Sequence, residues 1–258
     1  MNNNFNVKLA SGFEACHGEI VNTNTREVIS KFKTISNAPG EGNYLLELDD
    51  GMMRLIRFSG NNKIYKSEPF YKLIYYMTYN NGMYALVSKK NGRRFLICFL
   101  TASFLTEKFR WDSKFIVMSQ YGTDKKVILN STLKSYIIDS ADKVELEYYN
   151  SSAEYIILSY IKENKKVLLR INDFKKSKLY YSFIYLYLND KRMPSNKYVI
   201  VKIKTSEVKY GIMKIDNFEL SKLYDSIKVL SDNHILVIEN NKELVMRLND
   251  FSVAEFKG

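Results

Sequence analysis

The strongest constraint on the fold is a repeat that runs the length of the chain. A short apolar segment recurs seven times among the 258 residues. The copies are VKLA from Val7, YLLEL from Tyr44, YALV from Tyr84, FIVM from Phe115, YIIL from Tyr155, YVIV from Tyr198 and ILVI from Ile235. Their spacings are 37, 40, 31, 40, 43 and 37 residues, so the period is near 38. A period of this length predicts an architecture in which each copy is one supersecondary unit.

Each copy of the repeat has the pattern of β-structure. The segments are rich in β-branched and aromatic residues, and a polar turn separates each from a second apolar run, as in HILVIENNKELVMRL from His234. A further turn and a short strand that ends in an aromatic residue follow, as in KSKLYY from Lys176. Four strands per period predict an all-β fold, a β-propeller of about seven four-stranded blades in a single domain over residues 1–258. Six blades are the alternative, because the fourth copy is short.

Three hexapeptides of nearly the same sequence mark one position of this repeat. They are LRINDF (Leu169–Phe174), MKIDNF (Met213–Phe218) and MRLNDF (Met246–Phe251). We expect each to be the third strand of a blade and the turn after it, with Asn or Asp bending the chain. In the same alignment, the first blade (about residues 5–33) lacks an obvious innermost strand.

One stretch resembles the bacterial WG repeat. In KYVIVKIKTSEVKYGIMKIDNFELSKLYDSI, from Lys197 to Ile227, the residues that match the pattern of that family are Tyr210, Gly211, Ile215, Asp216, Tyr224, Asp225 and Ile227. Shorter echoes occur at Phe32–Ile35, Tyr71–Ile74 and Tyr180–Phe183. The Trp-Gly pair of the family is missing, and the only tryptophan, Trp111, falls outside its position. The resemblance implies a β-repeat scaffold and no particular activity.

Positive charge concentrates in the predicted turns between second and third strands. The chain has a net charge of +11, which favours an anionic partner. The basic turns of the third, fourth and fifth blades contain Lys89, Lys90, Arg93, Arg94, Lys125, Lys126, Lys165 and Lys166, and that of the sixth contains Lys202, Lys204 and Lys209. The corresponding turns of the other blades are acidic or mixed, so we expect a basic arc on one face of the ring.

Tyrosines accompany this arc in the predicted inner segments, among them Tyr76, Tyr149 and Tyr185. Lysine and arginine bind phosphate, and tyrosine rings stack on bases or sugars. The same residues also suit a structural role, because lysines solubilise turns and large rings fill the wedges between blades.

Catalytic and metal-binding motifs are scarce. The sequence has no glycine-rich phosphate loop, nucleophile elbow or zinc motif, and it has only two histidines and two cysteines. We therefore predict no catalytic residues, no metal and no cofactor. Glu145 and Glu147 share a strand face, and such a pair would serve the alternative of a hydrolase or lyase site in the central channel.

These observations predict a non-enzymatic scaffold that binds a protein partner or an anionic ligand, such as a nucleotide or a nucleic acid. Alternatives are the channel enzyme and a purely structural protein-interaction module. The N-terminal residues lack the pattern of a secretory signal, and apolar stretches are too short to span a bilayer. We therefore expect a cytoplasmic protein without membrane association. The sequence leaves the oligomeric state open.

Overall fold

The computed structural model describes residues 7–255 except 11, 61–62, 106–113, 140–143, 150–154, 188–194, 196 and 205. Every regular element among these residues is a β-strand, and all the strand pairs are antiparallel. Within the described part of the chain, no helix is long and apolar enough to cross a membrane. The predicted fold class, an all-β protein of the β-propeller type, is confirmed.

The first three blades each contain four strands that pair in chain order. Blade 1 has β1 (Val7–Ala10), β2 (Phe13–Cys16), β3 (Glu19–Asn22) and β4 (Val28–Lys31); blade 2 has β5 (Thr34–Asn37), β6 (Asn43–Glu47), β7 (Met53–Phe58) and β8 (Ile64–Lys66); blade 3 has β9 (Lys72–Tyr79), β10 (Gly82–Ser88), β11 (Arg94–Cys98) and β12 (Ser103–Leu105). Blade 4 is described as three strands, β13 (Phe115–Gln120), β14 (Lys126–Asn130) and β15 (Ser135–Ile138). Two residues of β13, Ser119 and Gln120, pair with β9, so blades 3 and 4 form one continuous sheet.

The remaining strands form three further blades. Blade 5 has β16 (Val144–Tyr149), β17 (Tyr155–Tyr160) and β18 (Lys165–Arg170); blade 6 has β19 (Ser182–Tyr185), β20 (Tyr198–Lys204) and β21 (Val208–Lys214); blade 7 has β22 (Ser226–Val229), β23 (His234–Glu239), β24 (Lys242–Arg247) and β25 (Val253–Glu255). In blades 5 and 6 the fourth strand is reduced to isolated bridges, such as Lys166 with Tyr180 and Tyr210 with Tyr224. Seven antiparallel units therefore follow one another, as the period predicts.

The contacts divide the chain into two compact units. The N-terminal unit comprises Met1–Trp111 and Ile116–Ile138, and the C-terminal unit comprises Asp112–Phe115 and Asp139–Gly258. Within each unit, blades pack face to face. In β7, the buried Leu55 joins the core between blades 2 and 3, and its neighbour Ile56 joins the core between blades 1 and 2. Because successive side chains of a strand point to opposite faces, a strand with both faces covered has a continuous apolar run instead of an alternating pattern.

The prediction that blade 1 lacks an obvious innermost strand was wrong. VKLA, aligned with the second strands of the other blades, is β1 itself, and the second strand is β2. Phe13 and Ala15 in β2 are buried, but Glu14 lies between them. Because Glu14 interrupts the apolar run, this segment does not match the pattern of the other second strands. Blade 1 thus has four strands.

The three hexapeptides end the third strands β18, β21 and β24, as predicted, and two residues of each contribute to the bend. The left-handed residue of each turn is the phenylalanine, with φ of 58° at Phe174, 61° at Phe218 and 58° at Phe251. The preceding Asp or Asn accepts a hydrogen bond from the backbone N–H two residues further on: Asp173 from Lys175, Asn217 from Glu219 and Asp250 from Ser252. The Asx side chain therefore closes the turn, while the aromatic residue takes the strained conformation.

The phenylalanines of the second and third hexapeptides each contact the preceding blade. The Arg170 guanidinium of blade 5 lies 5.4 Å from the ring centroid of Phe218 in blade 6. In the same way, the Lys214 ammonium of blade 6 lies 4.7 Å from the ring centroid of Phe251 in blade 7. The basic residue at the second position of one hexapeptide thus stacks on the phenylalanine of the next one. The repeated hexapeptide joins successive blades.

Stability should depend on the ionisation of Asp173. Its carboxylate accepts hydrogen bonds from Arg170 Nε (2.9 Å) and Nη2 (2.6 Å), and these bonds lower the pKa of Asp173 to about 2. Because the pKa is lower in the folded state, the stabilisation is complete above the unfolded-state pKa and is lost as pH falls through about 2. We expect Asp173→Asn to cost about 1 kcal/mol at pH 6, after allowance for solvent screening, with the difference narrowing towards low pH.

Urea unfolding of the wild type and Asp173→Asn, between pH 6 and the lowest pH at which both stay folded, measures this effect. Glu163→Gln, in the exposed turn before β18, is the matched control and should leave the pH dependence unchanged. Parallel pH profiles for Asp173→Asn and the wild type would contradict the assignment.

Candidate ligand-binding surface

The predicted basic residues lie where the repeat places them, in or beside the turns between second and third strands. In the N-terminal unit they are Lys89, Lys90, Arg93, Arg94, Lys125 and Lys126, and in the C-terminal unit they are Lys165 and Lys166. Lys90, Arg93, Arg94, Lys126 and Lys165 are exposed, and the others are half-buried. These residues belong to two compact units, so the single basic arc that the sequence predicts stays a prediction.

In blade 3, aromatic rings hold two of these cations. The Lys89 ammonium lies 5.2 Å from the ring centroids of both Phe95 and Phe104, and 3.5 Å from a carboxylate oxygen of Glu68. The Arg93 guanidinium stacks on Phe95 at 5.6 Å. The charge of Lys89 is therefore partly compensated, and Arg93 offers the less compensated cation in this turn.

Two other predicted residues bind serine hydroxyls. Arg94 Nη1 donates to Ser135 Oγ at 3.2 Å, which links blade 3 to blade 4. Lys126 Nζ donates to Ser119 Oγ at 2.7 Å across the first hairpin of blade 4. Both contacts hold exposed cations in place without neutralising them.

The predicted tyrosines have packing positions where the structure describes them. Tyr76 packs against the core between blades 2 and 3, edge to face with Phe99 at 5.7 Å, and burial raises the pKa of Tyr76 to about 12. Tyr185 packs against the core between blades 5 and 6. Tyr149 ends β16, and its side chain lies outside the described residues. These contacts favour the wedge-filling role for Tyr76 and Tyr185, and their role in ligand binding stays a prediction.

A compact group of cations and rings in blade 6 contains two tyrosines that are not among the predicted ligand-binding residues. The Lys202 ammonium lies 5.7 Å from the ring centroid of Tyr181 and 5.9 Å from that of Tyr210, and the Lys204 ammonium lies 5.6 Å from that of Tyr181. We name these four residues the blade 6 cluster. The sequence signal for Tyr181 is its place after the aromatic residue that closes blade 5, and Tyr210 belongs to the Tyr-Gly pair of the WG-like stretch.

The lysines of the blade 6 cluster differ from their neighbour Lys209 in charge compensation. Lys209 pairs with Asp225 and with Glu207, and these contacts raise its pKa. Among the residues that the structure describes, neither Lys202 nor Lys204 has a carboxylate within 4.0 Å. Of the three basic residues predicted in this turn region, Lys202 and Lys204 therefore have no carboxylate partner in the described part of the chain.

The blade 6 cluster is continuous with the basic turn of blade 5. Lys166 exchanges two backbone hydrogen bonds with Tyr180, and the N–H of the next residue, Tyr181, donates to the Lys202 carbonyl at 3.1 Å. The exposed Lys165 lies at the start of the same strand as Lys166. Backbone hydrogen bonds therefore link the strand that begins at Lys165 to the segment that contains Tyr181, and that segment to Lys202.

The candidate catalytic carboxylates are only partly described. Glu145 is exposed on β16 opposite Ser159, and the side chain of Glu147 lies outside the described residues. Across the described part of the chain, no group of three or more His, Cys, Asp or Glu residues is arranged to hold a metal ion. The channel-enzyme alternative stays untested.

Comparisons with known proteins give distant structural similarity. No family model matches the sequence, and no curated protein matches it. Solved structures similar to this chain include dihydro-heme d1 dehydrogenase NirN in complex with DHE (10% identity, TM-score 0.28, 97% of this chain and 62% of that chain) and apo AztD from Citrobacter koseri (13% identity, TM-score 0.27, 96% and 80%). A eukaryotic initiation factor matches similarly (12% identity, TM-score 0.28, 97% and 73%). The chain spans less than two thirds of the length of NirN, and similarity at this level assigns it no ligand and no activity.

Proposed function

We propose that this protein is a non-enzymatic binding scaffold that takes a single-stranded nucleic acid on the basic turns between second and third strands. The observation that supports this proposal is the blade 6 cluster, in which two ammonium groups without carboxylate partners among the described residues surround the ring of Tyr181. An uncompensated lysine is available to neutralise a phosphate.

Aromatic rings beside such lysines favour a nucleic acid over a simple anion. Proteins that bind single strands combine a positively charged path along the backbone with rings on which bases stack. In blade 6, the Tyr181 ring lies beside both Lys202 and Lys204, and the Tyr210 ring lies beside Lys202. The adjoining turn of blade 5 adds the exposed Lys165. The overall charge of +11 supports association with any polyanion, so the specific support comes from the rings.

Fluorescence anisotropy with a labelled single-stranded oligonucleotide tests this proposal. We expect the double variant Lys202→Gln, Lys204→Gln to weaken binding about tenfold at moderate salt, and the slope of log K against log salt to fall by about 1.4. Lys209→Gln is the matched control. It also removes a positive charge from blade 6, but Glu207 and Asp225 already compensate that charge. It should change both quantities by less than half as much.

Three results would overturn the proposal. The first is a wild type that shows no salt-dependent binding, and the second is an equal loss of affinity in the double variant and the control. The third is competition by poly-glutamate as effective as that by unlabelled oligonucleotide, which would make the ligand an acidic polypeptide. Tyr181→Leu gives an independent check, since loss of a stacking ring should weaken binding several-fold without altering the salt slope.

A further inference from the structure

A cavity of about 640 Å³ lies in the N-terminal unit, away from the basic turns. Its walls come from blades 1, 2 and 3, at the ends of the strands where the β5–β6 and β9–β10 turns are located. This volume is in the range of small-molecule sites in proteins.

Two polar side chains of blade 2 stand next to each other in this cavity. Asn43 in β6 and Arg57 in β7 are direct cross-strand partners, and both line the cavity. Directly opposite residues of an antiparallel pair lie on one face with Cβ atoms about 5 Å apart. The cavity therefore contains an amide and a guanidinium side by side.

Both side chains have hydrogen-bonding capacity that the described residues do not use. Asn43 is only 7% exposed; its Nδ2 donates to the Pro39 carbonyl at 2.8 Å, but its Oδ1 has no partner among the described residues. Arg57 Nη1 donates to the Phe99 carbonyl at 3.3 Å, and its Nε is buried without a partner in the same part of the structure. No described carboxylate lies within 4.0 Å of this guanidinium. Burial of unpaired polar groups and uncompensated charge is costly, so such a pair marks a place where a ligand group fits.

The β5–β6 turn closes tightly around Asn43. Gly40 and Gly42 have φ of 87° and 73°, and a Cβ at these positions would come within 2.7 Å of Asn43 Nδ2 and 2.5 Å of the Phe58 carbonyl oxygen. Only glycine allows this approach. The turn therefore holds the amide of Asn43 in place, and its residues Gly40, Glu41 and Gly42 line the cavity.

The remaining wall sets the class of ligand. Phe99 and the 62% exposed Leu100 give an apolar side, and the exposed residue Glu41 also lines the cavity. Arg57 favours an anion, but Glu41 repels ligands with several negative charges. Asn43 Oδ1 accepts a hydrogen bond, so it favours a ligand with an O–H or N–H donor beside its anionic group.

We propose that this cavity, with Arg57 and Asn43 at its centre, is a binding site for a small organic carboxylate that bears a hydrogen-bond donor next to the carboxylate and an apolar group. Arg57 binds the carboxylate, Asn43 Oδ1 accepts a hydrogen bond from the donor, and the apolar group packs on Phe99 and Leu100. The site is independent of the nucleic-acid surface in blades 5 and 6.

Mandelate is a probe that carries all three features, and two relatives each lack one of them. Isothermal titration of the wild type should give a dissociation constant for mandelate in the millimolar range or below. Mandelamide, which lacks the charge, should bind at least tenfold more weakly, and phenylacetate, which lacks the hydroxyl group, about three- to tenfold more weakly. Equal affinity for mandelate and mandelamide, or no binding of either, would overturn the proposal without any variant.

Substitutions then locate the site. Arg57→Gln and Asn43→Asp should each weaken mandelate binding at least tenfold, the second because a carboxylate of nearly the same shape repels the ligand. Lys63→Gln, which removes an exposed cation from the same blade outside the cavity, is the control and should bind as the wild type does. The Lys202→Gln, Lys204→Gln variant should also keep mandelate binding. Mandelate binding that survives in folded Asn43→Asp would place the ligand elsewhere and reject the assignment.

Discussion

Replacing Phe70 with alanine is expected to lower the free energy of unfolding by about 3–5 kcal/mol. The ring is fully buried in the core between blades 2 and 3. Its backbone exchanges two hydrogen bonds with Met53, at 2.7 and 2.9 Å, so the chain is held at this point and does not readily collapse into the space left by the ring. The cost of a large-to-small substitution is highest where the surroundings relax least.

Tyr71 provides the matched control for Phe70. It is the next residue and a ring of similar size, but it is 52% exposed. Tyr71→Ala should change stability by less than about 1 kcal/mol. Urea unfolding of both variants measures the change in stability. Because the chain has two compact units that can unfold separately, hydrogen exchange of the Met53 and Leu55 amides reports the effect within the N-terminal unit. Similar losses for the two variants would contradict the structure.

The difference between Phe70 and Tyr71 also shows which residue of blade 2 corresponds to Tyr180 in blade 5 and Tyr224 in blade 6. The sequence pattern predicts the WG-like echo of blade 2 at Tyr71–Ile74. In the structure, the position equivalent to Tyr180 and Tyr224 is Phe70, because each of these three residues forms an isolated bridge to the third strand of its own blade. The offset arose because two aromatic residues stand next to each other. A serine three residues before the buried ring, at Ser67, Ser177 and Ser221, is the sequence signal that would have fixed the register.

The architecture was predictable because it depends on local patterns. Strand content, period and the third-strand position of the hexapeptides follow from β-branched residues and turns at nearly constant spacing. The register error at Phe70 came from two adjacent aromatic residues, and strand β2 was missed because Glu14 interrupts its apolar run. Burial on one or both faces of a strand depends on the neighbouring blade, which local sequence does not reveal.

The candidate sites depended on contacts between distant residues, and these were less predictable. The turn lysines were found because each follows an apolar strand. Asp225 and Glu207 form ion pairs with Lys209, whereas Lys202 and Lys204 have no carboxylate within 4.0 Å among the described residues. This difference depends on which side chains meet across strands, and local sequence does not reveal it. The cavity around Arg57 was missed because three blades form it, and no short motif joins Asn43 to Phe99.

Removing the hydroxyl group of Ser221 is expected to cost about 2 kcal/mol, although the substitution to alanine deletes a single heavy atom. Ser221 is 7% exposed, and its Oγ accepts a hydrogen bond from the Ile212 N–H at 2.9 Å and donates one to the Lys222 carbonyl at 2.8 Å. Alanine leaves the N–H of the fully buried Ile212 without this partner. Urea unfolding gives the stability change, and hydrogen exchange of the Ile212 amide should show the local opening.

The same substitution at the equivalent serines tests whether this contact is a repeated feature of the blades. Ser67 and Ser177 bind the Leu55 and Leu168 N–H groups in the same geometry, each at 3.0 Å. Ser67 is 3% exposed and Ser177 is half-buried, so water can replace the hydroxyl group more easily at Ser177. We expect Ser67→Ala and Ser221→Ala to lower the free energy of unfolding by similar amounts, and Ser177→Ala to lower it less. The control is Ser226→Ala, at an exposed position of β22, which should stay within about 0.5 kcal/mol of the wild type. A loss that did not follow this order of burial would mean that local context, and not a contact common to the blades, determines the role of the serine.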